Sequence, residues 1–380
     1  MTQQSAISRR ELLGNGARVM GGSLLGASLL GSHTACGATI DLPRPSPAKF
    51  YRLLENGLVE CRICPRRCKL KPGERSHCRT RTNQDGHLAT YGYANPAVVS
   101  LDEMGKYPLA HFRPGKKALT LAIGGCNLRC KYCQNAKESQ SQPEALTTFD
   151  LPPGKAIAAV KGKGLDTVGF TYSGPVASLE YVLDTFRAAK EAGLRTVLGC
   201  GMYIDSRPLR ELCEVTDAIA VTLKGTTNGF YKKVIEAELG PVQKAISRLA
   251  ATKTWFELVY LVVPTYNDDL KRIERMCKGL VQMVGKEVPI HFGRFSPTFQ
   301  LRNLPPTSRE TIEKCCDIAN EAGLEYAYAE NIPDHPRSST RCDRCDALLI
   351  ERMDVKVVSD RIGTTGRCPK CRNQIPGVWQ

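Results

Sequence analysis

The grouping of the cysteines constrains this chain more than any other feature of its sequence. Eleven of the 17 cysteines fall into three tight groups. Such close spacing predicts metal binding rather than disulfide bonds, because Cys-x-x-Cys pairs place two thiolates on the same ion or cluster. We name them the lead-in group (Cys61, Cys64, Cys68, Cys78), the central group (Cys126, Cys130, Cys133) and the tail group (Cys342, Cys345, Cys368, Cys371). The chain is therefore expected to fold around three metal centres.

The composition is that of a globular protein with a sizeable core. At 380 residues, 42% hydrophobic and 24% charged, the chain is excluded from the disordered, collagen-like and multi-pass membrane classes. Its formal net charge of +15 would ordinarily suggest nucleic acid or an anionic membrane as a partner. Metal-bound thiolates offset part of that charge, and no basic motif is interleaved with aromatic residues. Nucleic-acid binding is therefore disfavoured.

The first 36 residues have the features of a targeting segment. Arg9 and Arg10 precede an uncharged stretch at residues 19–31, which is shorter than the roughly 20 residues that a membrane-spanning helix needs. The arginine pair resembles the twin-arginine export signal, and no transmembrane span is expected. This pattern predicts export of a folded, metal-loaded protein to the periplasm or cell envelope. The alternative is a disordered basic tail on a cytoplasmic protein.

Short apolar runs alternate with helical patterns from about residue 117 onward. Predicted strands cover residues 118–123, 167–172, 195–198, 218–223, 256–263 and 289–295, with a seventh candidate at 326–329. Predicted helices include residues 179–192, 242–252, 270–284 and 309–322. This alternation indicates an α/β fold with parallel strands covered on both faces. Six or so units suit a partial (β/α) barrel; a doubly wound sheet is the alternative, which periodicity does not separate from it.

Four segments follow from these patterns. They are the signal-like segment 1–36, a Cys-rich lead-in at 41–116, the partial barrel at 117–336 and a small Cys-rich tail at 337–380. The reactive groups of parallel β/α folds lie beyond the carboxyl ends of the strands. The central group directly follows the first predicted strand, so it lies where chemistry is expected.

The central group has the spacing Cys-x3-Cys-x2-Cys within the sequence Gly125-Cys126-Asn127-Leu128-Arg129-Cys130-Lys131-Tyr132-Cys133. Three cysteines can bind three irons of a [4Fe–4S] cluster and leave the fourth iron open to a further ligand. A protein that only carries electrons normally ligates every iron, whereas an open iron allows chemistry. A three-cysteine zinc site is the alternative interpretation.

This motif, with an aromatic residue before its last cysteine, resembles the signature of the radical S-adenosylmethionine (SAM) superfamily. Further segments resemble, in order, the radical enzyme of the AmmeMemoRadiSam system, a group related to the activating enzymes of glycyl-radical enzymes such as pyruvate formate-lyase. These segments are Cys64-Pro65-Arg66-Arg67-Cys68, residues 106–112, 125–135, Thr171-Tyr172, Val262-Val263-Pro264, Arg294-Phe295 and Ile375-Pro376-Gly377-Val378-Trp379. The resemblance covers most of residues 57–380.

The resemblance implies an enzyme that binds SAM at the open iron of a [4Fe–4S] cluster. An electron donor would reduce the cluster, SAM would be cleaved to methionine and a 5′-deoxyadenosyl radical, and the radical would abstract a hydrogen atom from a substrate, conceivably a protein. Besides the three cysteines, the resemblance implies cofactor contacts at Tyr132 and Ser173. It does not identify a catalytic residue.

Several positions depart from the family pattern. Gly174 stands in Tyr172-Ser173-Gly174-Pro175 where relatives have Tyr-Asn-Glu-Pro, which removes a carboxylate expected to meet the ammonium group of SAM; Glu180 is a candidate substitute. Cys200, Thr222 and Ser296 replace Asn, Asp and His. The changes imply a different substrate, a weaker cofactor site or lost turnover. The alternative function is therefore a non-catalytic iron–sulfur or zinc protein for electron transfer or cluster assembly.

The two flanking groups are expected to be closed metal sites. The tail group has two Cys-x-x-Cys pairs separated by a predicted hairpin at residues 348–353 and 355–359, which describes a zinc ribbon or a rubredoxin-like iron site. A tail of about 40 residues cannot easily be stabilised by a core alone, which favours structural Zn²⁺. The lead-in group could hold structural zinc or an auxiliary iron–sulfur cluster, and the sequence leaves both open.

Overall fold

In the computed structural model, which describes residues 44–380, the chain begins with six short strands. They are β1 (Ser46–Pro47), β2 (Tyr51–Leu53), β3 (Val59–Cys61), β4 (Lys69–Leu70), β5 (Arg81–Gln84) and β6 (His87–Thr90). The order β1-β6-β5 makes one antiparallel sheet and the order β2-β3-β4 makes another. These two sheets carry the lead-in group.

The centre of the fold is an eight-stranded sheet whose strands follow their order in the sequence. Its strands are β7 (Val98–Glu103), β8 (Lys117–Ala122), β9 (Thr167–Phe170), β10 (Arg195–Cys200), β11 (Ala218–Thr222), β12 (Trp255–Val262), β13 (Ile290–Arg294) and β14 (Ala327–Glu330). Strand β7 is antiparallel to β8, and each strand from β8 to β14 is parallel to the next. A doubly wound sheet would reverse its strand order at a switch point. The predicted α/β partial barrel is therefore confirmed and the doubly wound alternative is wrong.

Helices connect the parallel strands. They are α1 (Ala136–Ser139), α2 (Pro153–Gly162), α3 (Leu179–Glu191), α4 (Ser206–Val215), α5 (Asn228–Phe230), α6 (Leu239–Ala250), α7 (Leu270–Val284) and α8 (Arg309–Glu321). All four residues of β9 are buried, as are the first four of β11, which accounts for the uninterrupted apolar runs in the sequence. The antiparallel strand β7 was not predicted, because it lies outside the repeating β/α pattern.

The tail forms a small sheet that docks on the barrel. Its strands are β15 (Thr340–Arg341), β16 (Leu348–Met353) and β17 (Lys356–Asp360), and β16 and β17 form the predicted hairpin. Leu349 and Ile350 of the tail share a buried cluster with Tyr326 and Tyr328 next to the last barrel strand. The tail therefore has an apolar contact with the barrel in addition to its cysteines.

Within residues 44–380, no helix has the length and apolar character needed to cross a membrane. The signal-like segment, with Arg9 and Arg10, lies outside the described residues, so its predicted role in export stays a prediction.

Candidate functional site

The central group lies in the loop that follows β8, beyond the carboxyl end of that strand. The loop turns at Gly125, whose φ is +96°, and a Cβ there would lie 2.5 Å from the carbonyl oxygen of Cys78. The Gly125 amide donates to the carbonyl of Glu138 at 2.9 Å, which closes the loop onto α1. Only glycine combines this backbone conformation with so close an approach. The residue thus allows the lead-in to pack directly on the central loop.

The sulfurs of the central group are not part of a compact set of metal ligands. In residues 44–380, the tail group is the only set of three or more possible metal ligands whose ligand atoms all lie within 4.8 Å of one another. A single ion needs its ligands that close, whereas a [4Fe–4S] cluster binds each thiolate through a different iron. The spacing of Cys126, Cys130 and Cys133 therefore suits a cluster better than one ion.

Burial favours the neutral form of two thiols of the central group, Cys126 and Cys130. Burial raises the pKa of Cys126 well above its ordinary value and that of Cys130 to about 11. Lys224, which follows β11, opposes this shift, because its positive charge lowers the pKa of both thiols. Lys224 thus places a cation beside the central group.

The end of β10 brings Cys200 close to the same lysine. Its thiol is 6% exposed and donates to the sulfur of Met202 at 3.3 Å. Burial raises the pKa of Cys200 to about 11, with the charge of Lys224 acting in the opposite direction. Cys200 is therefore a buried, protonated thiol at the strand ends, packed on Met202.

The loop after β9 explains the departure at Gly174. A Cβ on Gly174 would lie 2.6 Å from the Cα and 2.7 Å from the sulfur of Cys126. The Gly174 amide also donates to the carbonyl of Gly125 at 3.2 Å. A glutamate here would force the two loops apart, so glycine is matched to their contact. Ser173 lies half-buried beside it, its amide donating to the carbonyl of Thr171 at 2.8 Å.

Glu180 does not replace the missing carboxylate. Its two oxygens accept hydrogen bonds from the Arg81 guanidinium at 2.5 Å and from the Lys49 amide at 2.7 Å. The side chain is 2% exposed, so both oxygens are enclosed as well as bonded. The expectation that Glu180 meets the cofactor is therefore wrong; this residue joins the lead-in to α3.

The remaining singled-out residues lie at or near the strand ends. Tyr132 is buried, with its ring centroid 6.3 Å from that of Phe230, and its hydroxyl has no hydrogen-bond partner in the described part of the chain. Thr222 is half-buried at the end of β11, and Ser296 is exposed just after β13. The unpaired hydroxyl of Tyr132 could accept or donate a bond to a bound group.

The lead-in group is assembled from two segments. Cys61 and Cys68 bracket the turn between β3 and β4, where the Cys61 amide donates to the Cys68 carbonyl at 2.9 Å. Cys78 joins them from the segment before β5, with its sulfur 3.1 Å from the hydroxyls of Ser76 and Thr80. Burial raises the pKa of the Cys61 thiol to about 11. The buried thiols of this group are Cys61, Cys64 and Cys78.

The tail group is compact. Its four sulfurs lie within 4.8 Å of one another, with Cys342 to Cys371 and Cys345 to Cys368 each at 3.6 Å. A tetrahedral zinc ion with Zn–S bonds of about 2.3 Å places its sulfurs about 3.8 Å apart. Burial raises the pKa of Cys368, but amides of Cys371 and Lys370 outweigh it and lower the value to about 7. The geometry is that of a closed, four-coordinate site.

A cavity of about 380 Å³ is lined by residues of α6, α7 and the loop after β11, including Leu239, Ile246, Arg272, Arg275 and Met283. None of the cysteines in the three groups is among its lining residues.

Known proteins are similar to parts of this chain in sequence and in structure. The family model of the Radical SAM superfamily matches residues 121–277, from the end of β8 into α7. The solved structure of Streptococcus suis SuiB bound to S-adenosylmethionine aligns with this chain at a TM-score of 0.46 and 11% identity. The alignment covers 60% of this chain and 53% of that one.

Two curated relatives are similar to this chain over more than half of its length. The uncharacterized protein MJ0808 of Methanocaldococcus jannaschii is 36% identical over 330 residues, covering 86% of this chain and 98% of that protein. Pyruvate formate-lyase 1-activating enzyme of Escherichia coli is 25% identical over 229 residues, covering 57% of this chain and 93% of that enzyme. The chain therefore belongs to the radical SAM superfamily of enzymes and is homologous to pyruvate formate-lyase activating enzymes.

Proposed function

We propose that this enzyme binds a [4Fe–4S] cluster through Cys126, Cys130 and Cys133, with S-adenosylmethionine at the iron that these thiolates leave open. One observation carries the proposal: three thiols share one loop at the carboxyl end of β8, where parallel β/α folds place their reactive groups. When bound and reduced by one electron, the cluster supplies the cleavage of SAM to methionine and a 5′-deoxyadenosyl radical, which takes a hydrogen atom from the substrate.

The residues around the loop have separate roles in this proposal. Lys224 favours the thiolate forms of Cys126 and Cys130 and attracts the carboxylate of the cofactor. The Gly174 contact with Cys126 holds the loops after β8 and β9 together. Tyr132 offers its unpaired hydroxyl. Relatives contact the ammonium group of SAM through a glutamate. In this chain, backbone carbonyls would make that contact.

The substrate is proposed to be a protein. The relative in Escherichia coli is named as an activating enzyme of pyruvate formate-lyase, which is itself a protein, and this supports the same substrate class here. Polar positions have changed at the ends of β10, β11 and β13, so the substrate would differ from that of the relative. A one-electron donor would be the second partner.

The test is formation of 5′-deoxyadenosine by the anaerobically reconstituted full chain, with dithionite as the reductant. The wild type should produce it, and the variant with Cys126, Cys130 and Cys133 all changed to alanine should fall to background. Cys213→Ala is the matched control, because this half-buried cysteine of α4 belongs to none of the three groups. Absence of product from a wild type with full iron content would refute the proposal.

The tail group is proposed to hold one structural Zn²⁺, supported by the compact spacing of its sulfurs. A rubredoxin-like Fe site has the same ligands. Zinc and iron analysis of the purified chain distinguishes the two, and a visible spectrum of ferric thiolate at the tail would contradict zinc.

Export through residues 1–36 is a further proposal, supported by Arg9-Arg10 and the apolar stretch that follows. Changing both arginines to lysine should retain the protein in the cytoplasm. Fractionation that finds the wild type in the cytoplasm with its first 36 residues intact would refute export.

A further inference from the structure

We propose that the lead-in group, Cys61, Cys64, Cys68 and Cys78, holds a second [4Fe–4S] cluster rather than zinc, and that this cluster lies against the central site. The site is separate from the one that would bind S-adenosylmethionine. The proposal of a second cluster can therefore be tested independently of whether the enzyme cleaves that cofactor.

The sulfurs of the lead-in group are not arranged as those of a zinc site are. Around one zinc ion, four thiolates lie about 3.8 Å apart, because each Zn–S bond is about 2.3 Å. The tail group has this spacing, and in residues 44–380 no three cysteines of the lead-in group come within 4.8 Å of one another. Four thiolates bound to four different irons need the wider arrangement. The lead-in group has the ligand number of a fully ligated cluster and lacks the compactness of a zinc site.

Three residues of the lead-in carry buried nitrogen atoms that have no hydrogen-bond partner within residues 44–380. Arg81 is fully buried, and its Nε has no partner in the described part of the chain, although its Nη2 is bonded to Glu180. Among the described residues, the Nε of Arg66 and the Nε2 of His77 are buried and unpartnered as well. Buried polar atoms in native proteins nearly always have partners, so three around one site call for an acceptor there. The bridging sulfides and thiolates of a cluster are such acceptors.

The charges around the site point the same way. The Arg81 guanidinium interacts electrostatically with Cys61 and Cys78, and Arg66 interacts with Cys68. A cluster with four thiolates carries net negative charge, which a buried medium disfavours unless cations lie close. Arg81 cannot lose its charge at any physiological pH. The positive charges around the lead-in group therefore suit a bound group that is permanently negative.

The lead-in group also contacts the central loop. The carbonyl of Cys78 touches Gly125, the residue before the first central cysteine, and Arg129 of the central loop donates to the carbonyl of His77. Arg79 interacts electrostatically with both Cys78 and Cys126. Only a short stretch of backbone separates the two sites. Two clusters placed here would be close enough for their unpaired spins to interact when both are reduced.

The experiment counts iron, zinc and acid-labile sulfide in the anaerobically purified full chain. The wild type should contain about eight iron and eight sulfide, and the alanine variant of the central group should keep about four of each. Sulfide is the decisive number, because neither zinc nor a rubredoxin-like iron in the tail contributes any. Zinc in place of iron and sulfide at the lead-in would overturn the proposal, as would iron without sulfide.

Electron paramagnetic resonance supplies a second readout, which the wild type itself can give. Dithionite gives one electron to each cluster, taking each from the 2+ to the 1+ state. The doubly reduced wild type should show a signal broadened by spin–spin interaction, and Cys61→Ser/Cys78→Ser should show the narrow signal of the central cluster alone. A wild type with about four iron and a narrow signal refutes the second cluster, even where 5′-deoxyadenosine is formed. Failure to form 5′-deoxyadenosine with about eight iron refutes the proposed function alone.

Discussion

The lead-in group and the tail group each offer four cysteines, yet the chain holds their sulfurs in different ways. In the tail, two Cys-x-x-Cys turns face each other across a hairpin, and the sulfurs pair at 3.6 Å. In the lead-in, three cysteines lie around one turn and Cys78 arrives from the segment before β5. The difference shows that the ligand count alone does not define a metal site. How the chain returns to the site sets the distance between the sulfurs.

The two regions also attach to the barrel differently. The lead-in group is joined through the buried ion pair of Arg81 and Glu180. The tail is joined through His111, which lies near the end of the lead-in segment 41–116: His111 bonds the carbonyl of Pro376 at 2.7 Å, and Glu257 of β12 accepts the His111 amide at 2.8 Å. The lead-in should therefore be insensitive to alkaline pH, whereas the tail should respond to it.

The largest effect is expected from removing a ligand of the tail group. Cys368→Ala should abolish tail zinc and unfold residues 337–380, because metal binding supplies on the order of 10 kcal/mol to the folding of such small units. Limited proteolysis should cut the variant in the tail within the time that leaves the wild type intact. Iron and sulfide at the other two groups should be unchanged.

Two results of that experiment would contradict the difference between the lead-in and the tail. An uncut tail with unchanged zinc would mean that the apolar contacts of Leu349 and Ile350 hold the tail without its metal. Loss of iron from the lead-in or central group would mean that the tail and the barrel fold as one unit. Cys213→Ala serves again as the control for general effects of cysteine removal.

A smaller loss is expected from Arg81→Met. The variant leaves the Glu180 carboxylate buried and unpaired, which typically costs about 3–5 kcal/mol. Urea unfolding should report the loss, and iron content should fall at the lead-in while tail zinc stays. The double variant Arg81→Met/Glu180→Leu should recover much of the stability and little of the iron. Equal iron in wild type and Arg81→Met would show that the arginine does not support a cluster.

Much of this structure can be predicted from local sequence patterns, but its long-range contacts cannot. The strands of the barrel, the hairpin of the tail and the position of the central group after β8 all follow from periodicity or spacing over a few residues. The Arg81 to Glu180 pair spans 99 positions, and the Gly174 contact with Cys126 joins two loops. Nothing near either residue in the sequence reveals its partner. From the sequence, Glu180 is therefore only a candidate contact for the cofactor, whereas in the structure it bonds Arg81 and the Lys49 amide of the lead-in.

The smallest predicted effect concerns pH and the network beneath the tail. His291 is buried with Nε2 2.8 Å from Glu257 and Nδ1 2.7 Å from Glu330. Burial alone would lower the pKa of His291, but its hydrogen bonds to the two carboxylates and their charges raise it to about 9. An unfolded histidine has a pKa of about 6.5.

Because the folded pKa is the higher one, protonated His291 stabilises the fold fully below about pH 6.5, and this contribution is lost as the pH rises through about 9. The loss should be on the order of 1–3 kcal/mol. Thermal unfolding of the wild type should thus weaken between these pH values by more than that of His291→Gln, which has no charge to lose. Release of the tail, followed by proteolysis, should show the same dependence, because Glu257 also holds the His111 amide beneath Pro376. Parallel pH profiles for wild type and His291→Gln would show that the histidine is not charged in the folded protein. The lead-in, held by Arg81, should keep its iron across the whole range, and loss of that iron at alkaline pH would remove the distinction between the two attachments.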